Sequence, residues 1–269
     1  MDLHRRRVLI TGASRGIGEA TARAFAAHGA SVALVARDAE KLATLADELG
    51  GTAHPTDLVD PDVVAGLVAA IEDDGGPVDV LVNNAGMDAV GAFADTDPQA
   101  IEQVFRLNLV TPVQLCRQAL PGMLERGRGH LVNISSLAGV AAYPGMATYA
   151  ATKAGLTQFT EVLALDLKGL PVGTTVVQLG PIPTDMLDHV NDYAPTRDSF
   201  ARGYKLRLIV DIAREQVAEA VVAAVQKGRT HVRLPKRAMA FPLLAEAPRR
   251  ISDLLLTGVE HQVGRTPGR

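Results

Sequence analysis

Tryptophan is missing from this chain, cysteine occurs once, and aromatic residues make up only 4% of the 269 positions. The lone Cys116 cannot form an internal disulfide. It suits a reducing cytosol, where the chain is expected to reside, and reads as a small buried hydrophobe rather than a nucleophile. No apolar run approaches the roughly 20 residues that a membrane-spanning helix needs. A formal net charge of −3 argues against a general nucleic-acid binder. Residues 1–7 are basic, but an apolar strand follows at once, so no separate hydrophobic signal region is expected. Internal repeats and splitting linkers are also missing, and 269 residues fit one α/β domain with a large core.

What is present is a chain 47% hydrophobic, dominated by Ala, Val, Leu and Gly, as expected for parallel strands sandwiched between helices. Strand-like stretches fall near 7–11, 31–36, 51–56, 78–82, 129–134, 173–179 and 231–234. Helical stretches fall near 16–28, 39–49, 60–73, 98–126, 148–168 and 214–227. This alternation predicts an α/β fold: a doubly wound, mostly parallel seven-stranded sheet with helices on both faces. Right-handed crossovers then place the strand C-termini along one edge, where ligands bind.

The first strand, Arg7-Val8-Leu9-Ile10, runs directly into Thr11-Gly12-Ala13-Ser14-Arg15-Gly16-Ile17-Gly18 and then into a helix. Strand, glycine-rich turn and helix are the context of a dinucleotide fingerprint. Gly12 permits the tight turn, Gly16 lets backbone approach a pyrophosphate, and Gly18 allows close helix–strand packing. The helix N-terminus offers N–H groups and a favourable dipole to the anion. An ordinary glycine turn is the competing reading, and the spacing G-x-x-x-G-x-G is not the usual G-x-G-x-x-G.

A second constellation is Tyr149 and Lys153, four residues apart, with Ser136 thirteen residues before the tyrosine. Residues four apart share one helix face, about 5–6 Å between Cβ atoms. A tyrosine titrates near pH 10, too high for efficient proton transfer at neutrality. A fixed ammonium nearby is expected to lower it, while Ser136 can bond the oxygen that Tyr149 would protonate.

Together these motifs resemble the short-chain dehydrogenase/reductase family, in its branch of about 250 residues. The resemblance continues in Asn83-Asn84-Ala85-Gly86 after a strand, in Asn108 within Leu107-Asn108-Leu109, and in Asn133-Ile134-Ser135-Ser136. It covers residues 7–234 in the family's order, with Ser136 rather than Ser135 selected by its spacing to Tyr149. It implies a single Rossmann domain over 1–234, catalytic Asn108, Ser136, Tyr149 and Lys153, and a dinucleotide held by residues spread along the sheet edge. These are Gly12, Ser14, Arg15, Gly16, Ile17 and Gly18 from the turn, Arg37, Asp57 and Leu58 from the second and third strand ends, and Asn84, Ala85 and Gly86. Tyr149 and Lys153 complete the set with Gly180, Ile182 and Thr184. No metal is expected. The sequence departs from the family where Leu179-Gly180-Pro181-Ile182-Pro183-Thr184 has leucine in place of the first proline.

The second strand ends in Val35-Ala36-Arg37-Asp38. NAD-preferring enzymes place an acid at this strand end, on the ribose hydroxyls. Here the position is Ala36, and Arg37 with Arg15 can hold a 2′-phosphate by charge-assisted bonds. NADP(H) is therefore the expected cofactor, with a solvated surface charge as the plain reading of Arg37. Asp38 either caps the next helix or reaches the ribose. Asp57 either contacts the adenine, as the resemblance implies, or caps the helix near 60.

The expected reaction is reversible hydride transfer between NADP(H) and a carbonyl/alcohol pair. Tyr149 would be the general acid/base, Ser136 the oxygen's partner and Lys153 the ribose holder. Asn108 is expected to interrupt its helix and hold a water that connects Lys153 to solvent. A non-catalytic NADP(H)-binding sensor on the same fold is the alternative. The expected partner is a small hydrophobic molecule, not nucleic acid. It would lie under a lid at 185–212 carrying Met186, Leu187, Tyr193, Phe200, Tyr204 and Leu208. The remaining segment, 235–269, mixes basic and apolar residues and is expected to pack on the body or on another subunit more readily than on a membrane surface. The resemblance also suggests a homodimer or homotetramer, with the helices near 98–126 and 148–168 at the interface.

Overall fold

A computed structural model describes residues 1–183, 188–207 and 210–235. Seven strands form one parallel sheet in the order β3-β2-β1-β4-β5-β6-β7. They are β1 (Arg7–Thr11), β2 (Ser31–Ala36), β3 (Thr52–Pro55), β4 (Val80–Asn83), β5 (Gly129–Ser136), β6 (Val172–Leu179) and β7 (His231–Leu234). The expected fold class is thus the observed one. Each strand alternates its side chains between two faces, and both faces are apolar because both are covered. Val8, Ile10, Val32 and Leu34 meet helices α1 (Gly16–Ala27), α2 (Ala39–Leu49) and α9 (Arg214–Lys227) in one core. Leu9, Ala33, Val35, Leu81 and Leu131 meet the opposite layer in the other.

That opposite layer corrects two expectations. The helix expected over 60–73 is two pieces, α3 (Pro61–Val64) and α4 (Leu67–Gly75), parted at Gly66. Glycine is a poor interior helix residue, and here it becomes the N-cap of α4. The single helix expected over 98–126 is α5 (Pro98–Phe105), a π-helical turn (Arg106–Val110) and α6 (Thr111–Glu125). Pro112 gives the reason. It has no N–H for the carbonyl of Asn108 four residues earlier, and its ring crowds that carbonyl, so the helix widens there.

Helix α7 (Ala147–Asp166) runs beside β5 and carries Tyr149 and Lys153. Beyond β6 an unexpected helix, α8 (Ala194–Lys205), spans part of the presumed lid. Its sequence hides it, since only Thr196 and Phe200 are buried and no apolar stripe develops. Thr184, Met186, Leu187, Leu208 and the segment 236–269, all named above, lie outside the described residues. Among the described residues no helix is long and apolar enough to cross a membrane.

Candidate active site

The strands β1, β4, β5 and β6 end side by side at Thr11, Asn83, Ser136 and Leu179. A cavity of about 460 Å³ opens at this edge. Ile17, Asn84, Gly86, Ser136, Tyr149, Lys153, Gly180 and Ile182 all border it.

The glycine turn is built by close backbone approach. Gly12 and Gly16 have φ of +67° and +61°, the left-handed region that glycine enters without penalty. A Cβ on Gly18 would lie 2.1 Å from the Gly12 carbonyl oxygen, so no other residue fits there without parting α1 from β1. The Asn84 amide clamps the turn from β4, donating to the Thr11 and Gly12 carbonyls at 2.9 and 3.2 Å. The Thr11 hydroxyl accepts from the backbone N–H groups of Asn84 and Ala85, each at 3.0 Å. No side chain caps the N-terminus of α1, which begins after Arg15. Uncapped N–H groups at a left-handed glycine turn fit a bound pyrophosphate.

Around the expected adenosine end, Arg37 is exposed immediately after β2. Asp38 resolves toward the cap: its carboxylate accepts from the Lys41 N–H at 3.1 Å, at the start of α2. Asp57 does not cap the helix near 60, because Asp60 does so, accepting from the Asp62 N–H at 2.9 Å. The Asp57 carboxylate instead accepts from the Val59 N–H at 3.1 Å in a local turn, and Leu58 is buried. Ser14 borders a separate open cleft of about 560 Å³ that it shares with Asp38 and Lys41.

The proton-transfer trio is brought together. Ser136, the last residue of β5, donates its hydroxyl to the Leu179 carbonyl at 3.3 Å and borders the same cavity as the Tyr149 phenol. It also accepts from the Ala138 N–H at 3.1 Å, which fixes its rotamer. Lys153 is buried, with Nζ donating to the Ile134 carbonyl at 3.0 Å and lying 5.7 Å from the Tyr149 ring centroid. Burial pulls the Lys153 ammonium down to about 8. Burial also pushes the Tyr149 phenol up to about 12. The nearby Ser136 hydroxyl works against that rise, and the Asp88 charge adds to it. The expected net lowering of Tyr149 by Lys153 is therefore reversed by its protein surroundings. Desolvation disfavours the phenolate more than the polar neighbours favour it, so at neutral pH the phenol carries its proton.

Asn108 sits fully buried in the π-helical turn. Its Oδ1 accepts from the Met87 N–H at 2.9 Å, while its Nδ2 donates to the Met87 carbonyl at 2.7 Å and to the Thr152 hydroxyl at 3.2 Å. The side chain is thus bonded to three protein groups. Pro112, four residues on, offers no N–H to the Asn108 backbone carbonyl.

Sequence reasoning missed Asp88. Its carboxylate borders the cavity, its side chain is only 10% exposed, and one oxygen lies 3.0 Å from His189 Nδ1. The signal was available, since Asp88 is the single charge between Asn84 and Gly91. Cys116 is buried as expected, and burial pushes its thiol up to about 12, which keeps it inert.

The sequence pattern of the family described as "short chain dehydrogenase" matches residues 6–194. The chain is 37% identical over 230 residues to a protein named "Ketoacyl reductase HetN" from Nostoc sp., covering 84% of this chain and 77% of that one. It superposes with a TM-score of 0.76, at 26% identity, on a short-chain dehydrogenase from Sphingobium yanoikuyae in complex with NADPH, covering 97% of this chain and 98% of the other. A short chain dehydrogenase/reductase from Burkholderia phymatum in complex with NAD superposes with a TM-score of 0.77, at 26% identity and 99% coverage of both chains.

Proposed function

The chain belongs to the short-chain dehydrogenase family, an oxidoreductase lineage acting on CH–OH and C=O groups, and on that premise we propose that it is an NADP(H)-dependent reductase of hydrophobic ketones or aldehydes. The observation that carries this reading is the convergence of Ser136, Tyr149 and Lys153 at one cavity beside an uncapped helix N-terminus. The walls are mainly apolar, with Ala138, Val140, Ala141 and Phe200 among them, which favours a hydrophobic substrate.

When bound, the dinucleotide supplies a hydride to the carbonyl carbon. Gly12, Gly16 and the α1 N-terminus would hold its pyrophosphate. Lys153, whose one described acceptor is the Ile134 carbonyl, would turn its remaining N–H groups to the ribose. Arg37 would meet the 2′-phosphate, because Asp38 is turned to the α2 N-terminus and sets no carboxylate against it. Asp57, Leu58, Ala85, Gly86, Gly180 and Ile182 would border the rest of the cofactor. Tyr149 gives its proton to the developing alkoxide while Ser136 bonds the same oxygen, stabilising charge where it forms. We assign the catalytic unit to residues 1–234. We also favour a homo-oligomer through α5, α6 and α7, where Phe105 and Val162 remain 36% and 43% exposed.

The test is NADPH oxidation over pooled ketones and aldehydes, for the native protein and Tyr149→Phe. Loss of about a thousandfold or more in turnover, with NADPH binding retained, is expected. Substantial activity in the variant would remove Tyr149 as the acid. NADPH binding without turnover in any pool would favour the sensor reading.

A further inference from the structure

We propose that Asp88 is a specificity-determining residue that selects carbonyl substrates bearing a hydroxyl or ammonium donor close to the carbonyl and rejects those bearing a carboxylate there. The inference rests on the reductase reading and names the substrate class of that same cavity.

Three observations carry it. The first is placement. Asp88 directly follows Met87, whose backbone N–H and carbonyl are both held by the buried Asn108 amide, at 2.9 and 2.7 Å. Three residues on, the Gly91 N–H donates to the Gly145 carbonyl at 3.0 Å. The loop is therefore pinned on both sides of Asp88, and its carboxylate is held at the cavity by main-chain bonds. The second is chemistry. Among the described residues, the charged side chains bordering the cavity are Asp88, Lys153 and Arg202. Lys153 is engaged with Ile134, and Arg202 is exposed on the outer rim. Asp88, with a side chain 10% exposed, is the acceptor that a substrate meets inside. The third is proximity to the reacting group. The Asp88 charge is felt at the Tyr149 phenol, so a substrate carbonyl seated on Tyr149 places its neighbouring carbons in the same field.

One carboxylate oxygen is occupied by His189, and the other is left to accept from a ligand. A hydrogen bond to a charged acceptor discriminates about ten- to a hundredfold against a ligand that lacks the donor. A substrate carboxylate in the same place would set two like charges together in an apolar cavity, a repulsive element that adds to the selection.

The probes share one skeleton: acetophenone, α-hydroxyacetophenone and phenylglyoxylate, reduced with NADPH by the native protein, Asp88→Ala and Asp88→Asn. The native protein should prefer α-hydroxyacetophenone to acetophenone by about tenfold or more in kcat/KM and fail on phenylglyoxylate. In Asp88→Ala the preference should collapse to within about threefold. The isosteric Asp88→Asn should gain activity on phenylglyoxylate, which a merely structural role would not produce. An unchanged ratio in both variants, or a native preference for acetophenone or phenylglyoxylate, overturns the proposal.

Calorimetric binding of α-hydroxyacetophenone to the NADPH complex of Tyr149→Phe, with and without Asp88→Ala, reads the same contact without chemistry. A drop of about tenfold or more in affinity supports Asp88 even if no probe is reduced, and that pairing of results would count against the reductase reading alone. Equal affinities overturn the Asp88 assignment.

Discussion

Asn84 and Lys153 reach the cavity from the sheet side, and each is bonded to main-chain carbonyls within 3.2 Å. The opposite wall, residues 188–207, is attached mainly through side chains. Thr196 donates to the Pro144 carbonyl at 2.6 Å, His189 pairs with Asp88 at 3.0 Å, and Phe200 lies against Tyr143 with ring centroids 4.9 Å apart. Main-chain partners are fixed by the sheet itself, so the floor cannot shift without breaking the fold. Side-chain partners can part and re-form, so the outer wall can open for a ligand while the reacting groups stay in register. Opening of local regions with few buried contacts costs little compared with global unfolding.

The largest effects belong to the floor. Gly18→Ala drives a Cβ into the Gly12 carbonyl, a backbone atom that cannot swing away. A loss of about 3 kcal/mol or more is expected, read as a fall in the denaturant midpoint. An unchanged midpoint would mean that α1 can retreat from β1 freely. Asn108→Ala orphans the Met87 N–H and carbonyl and should cost about 2–3 kcal/mol. Because Met87 precedes Asp88, its KM should rise as well as its stability fall. A stability loss with unchanged KM would show that the loop holds its place without the clamp.

Arg37→Ala tests the edge of the floor, where nothing else should move. The ratio of NADPH to NADH affinity should fall about tenfold with the denaturant midpoint unchanged. An unaltered ratio would return Arg37 to a plain surface charge.

The smallest effect belongs to the outer wall. His189 is held above its ordinary range by its bond to Asp88, with Asp192 and Asp188 adding to the effect. A raised folded-state value means that the pairing is fully present below about pH 6.5 and is lost as pH rises through the folded value. The side chain is 57% exposed, so solvent screening keeps the consequence small. KM should rise by about twofold on going from pH 6.5 to pH 8.5, and the step should vanish in His189→Ala. A step that persists in the variant would assign it to another group.

The floor was also the part that the sequence spelled out. Apolar strands such as Val8-Leu9-Ile10 and Val80-Leu81-Val82 read directly from their composition, and glycines at fixed spacing announced the turn. Tyr149, Lys153 and Ser136 were legible because a helix face and a strand end turn sequence spacing into spatial nearness. The outer wall was not legible for the same physical reason in reverse. Helix α8 buries only Thr196 and Phe200, so no periodic stripe betrays it. Asp88 escaped notice because its importance arises from Asn108, twenty residues further along the chain, and no local pattern records such a bond. The reversal at Tyr149 was equally hidden, since burial is a property of the folded whole.

Pro112 has one more consequence, best put as phase. Each residue of an α-helix turns the chain by about 100°, so the widened turn over 106–110 resets the angle at which everything after it faces the sheet. With that reset, Val104 points inward before the turn, Asn108 within it, and Leu115, Cys116, Ala119 and Met123 beyond it. The turn therefore works as a gear tooth between two helices that would otherwise run out of step. Removing one residue there would rotate a whole face of α6 away from the core, a larger injury than any single side-chain replacement at the same place.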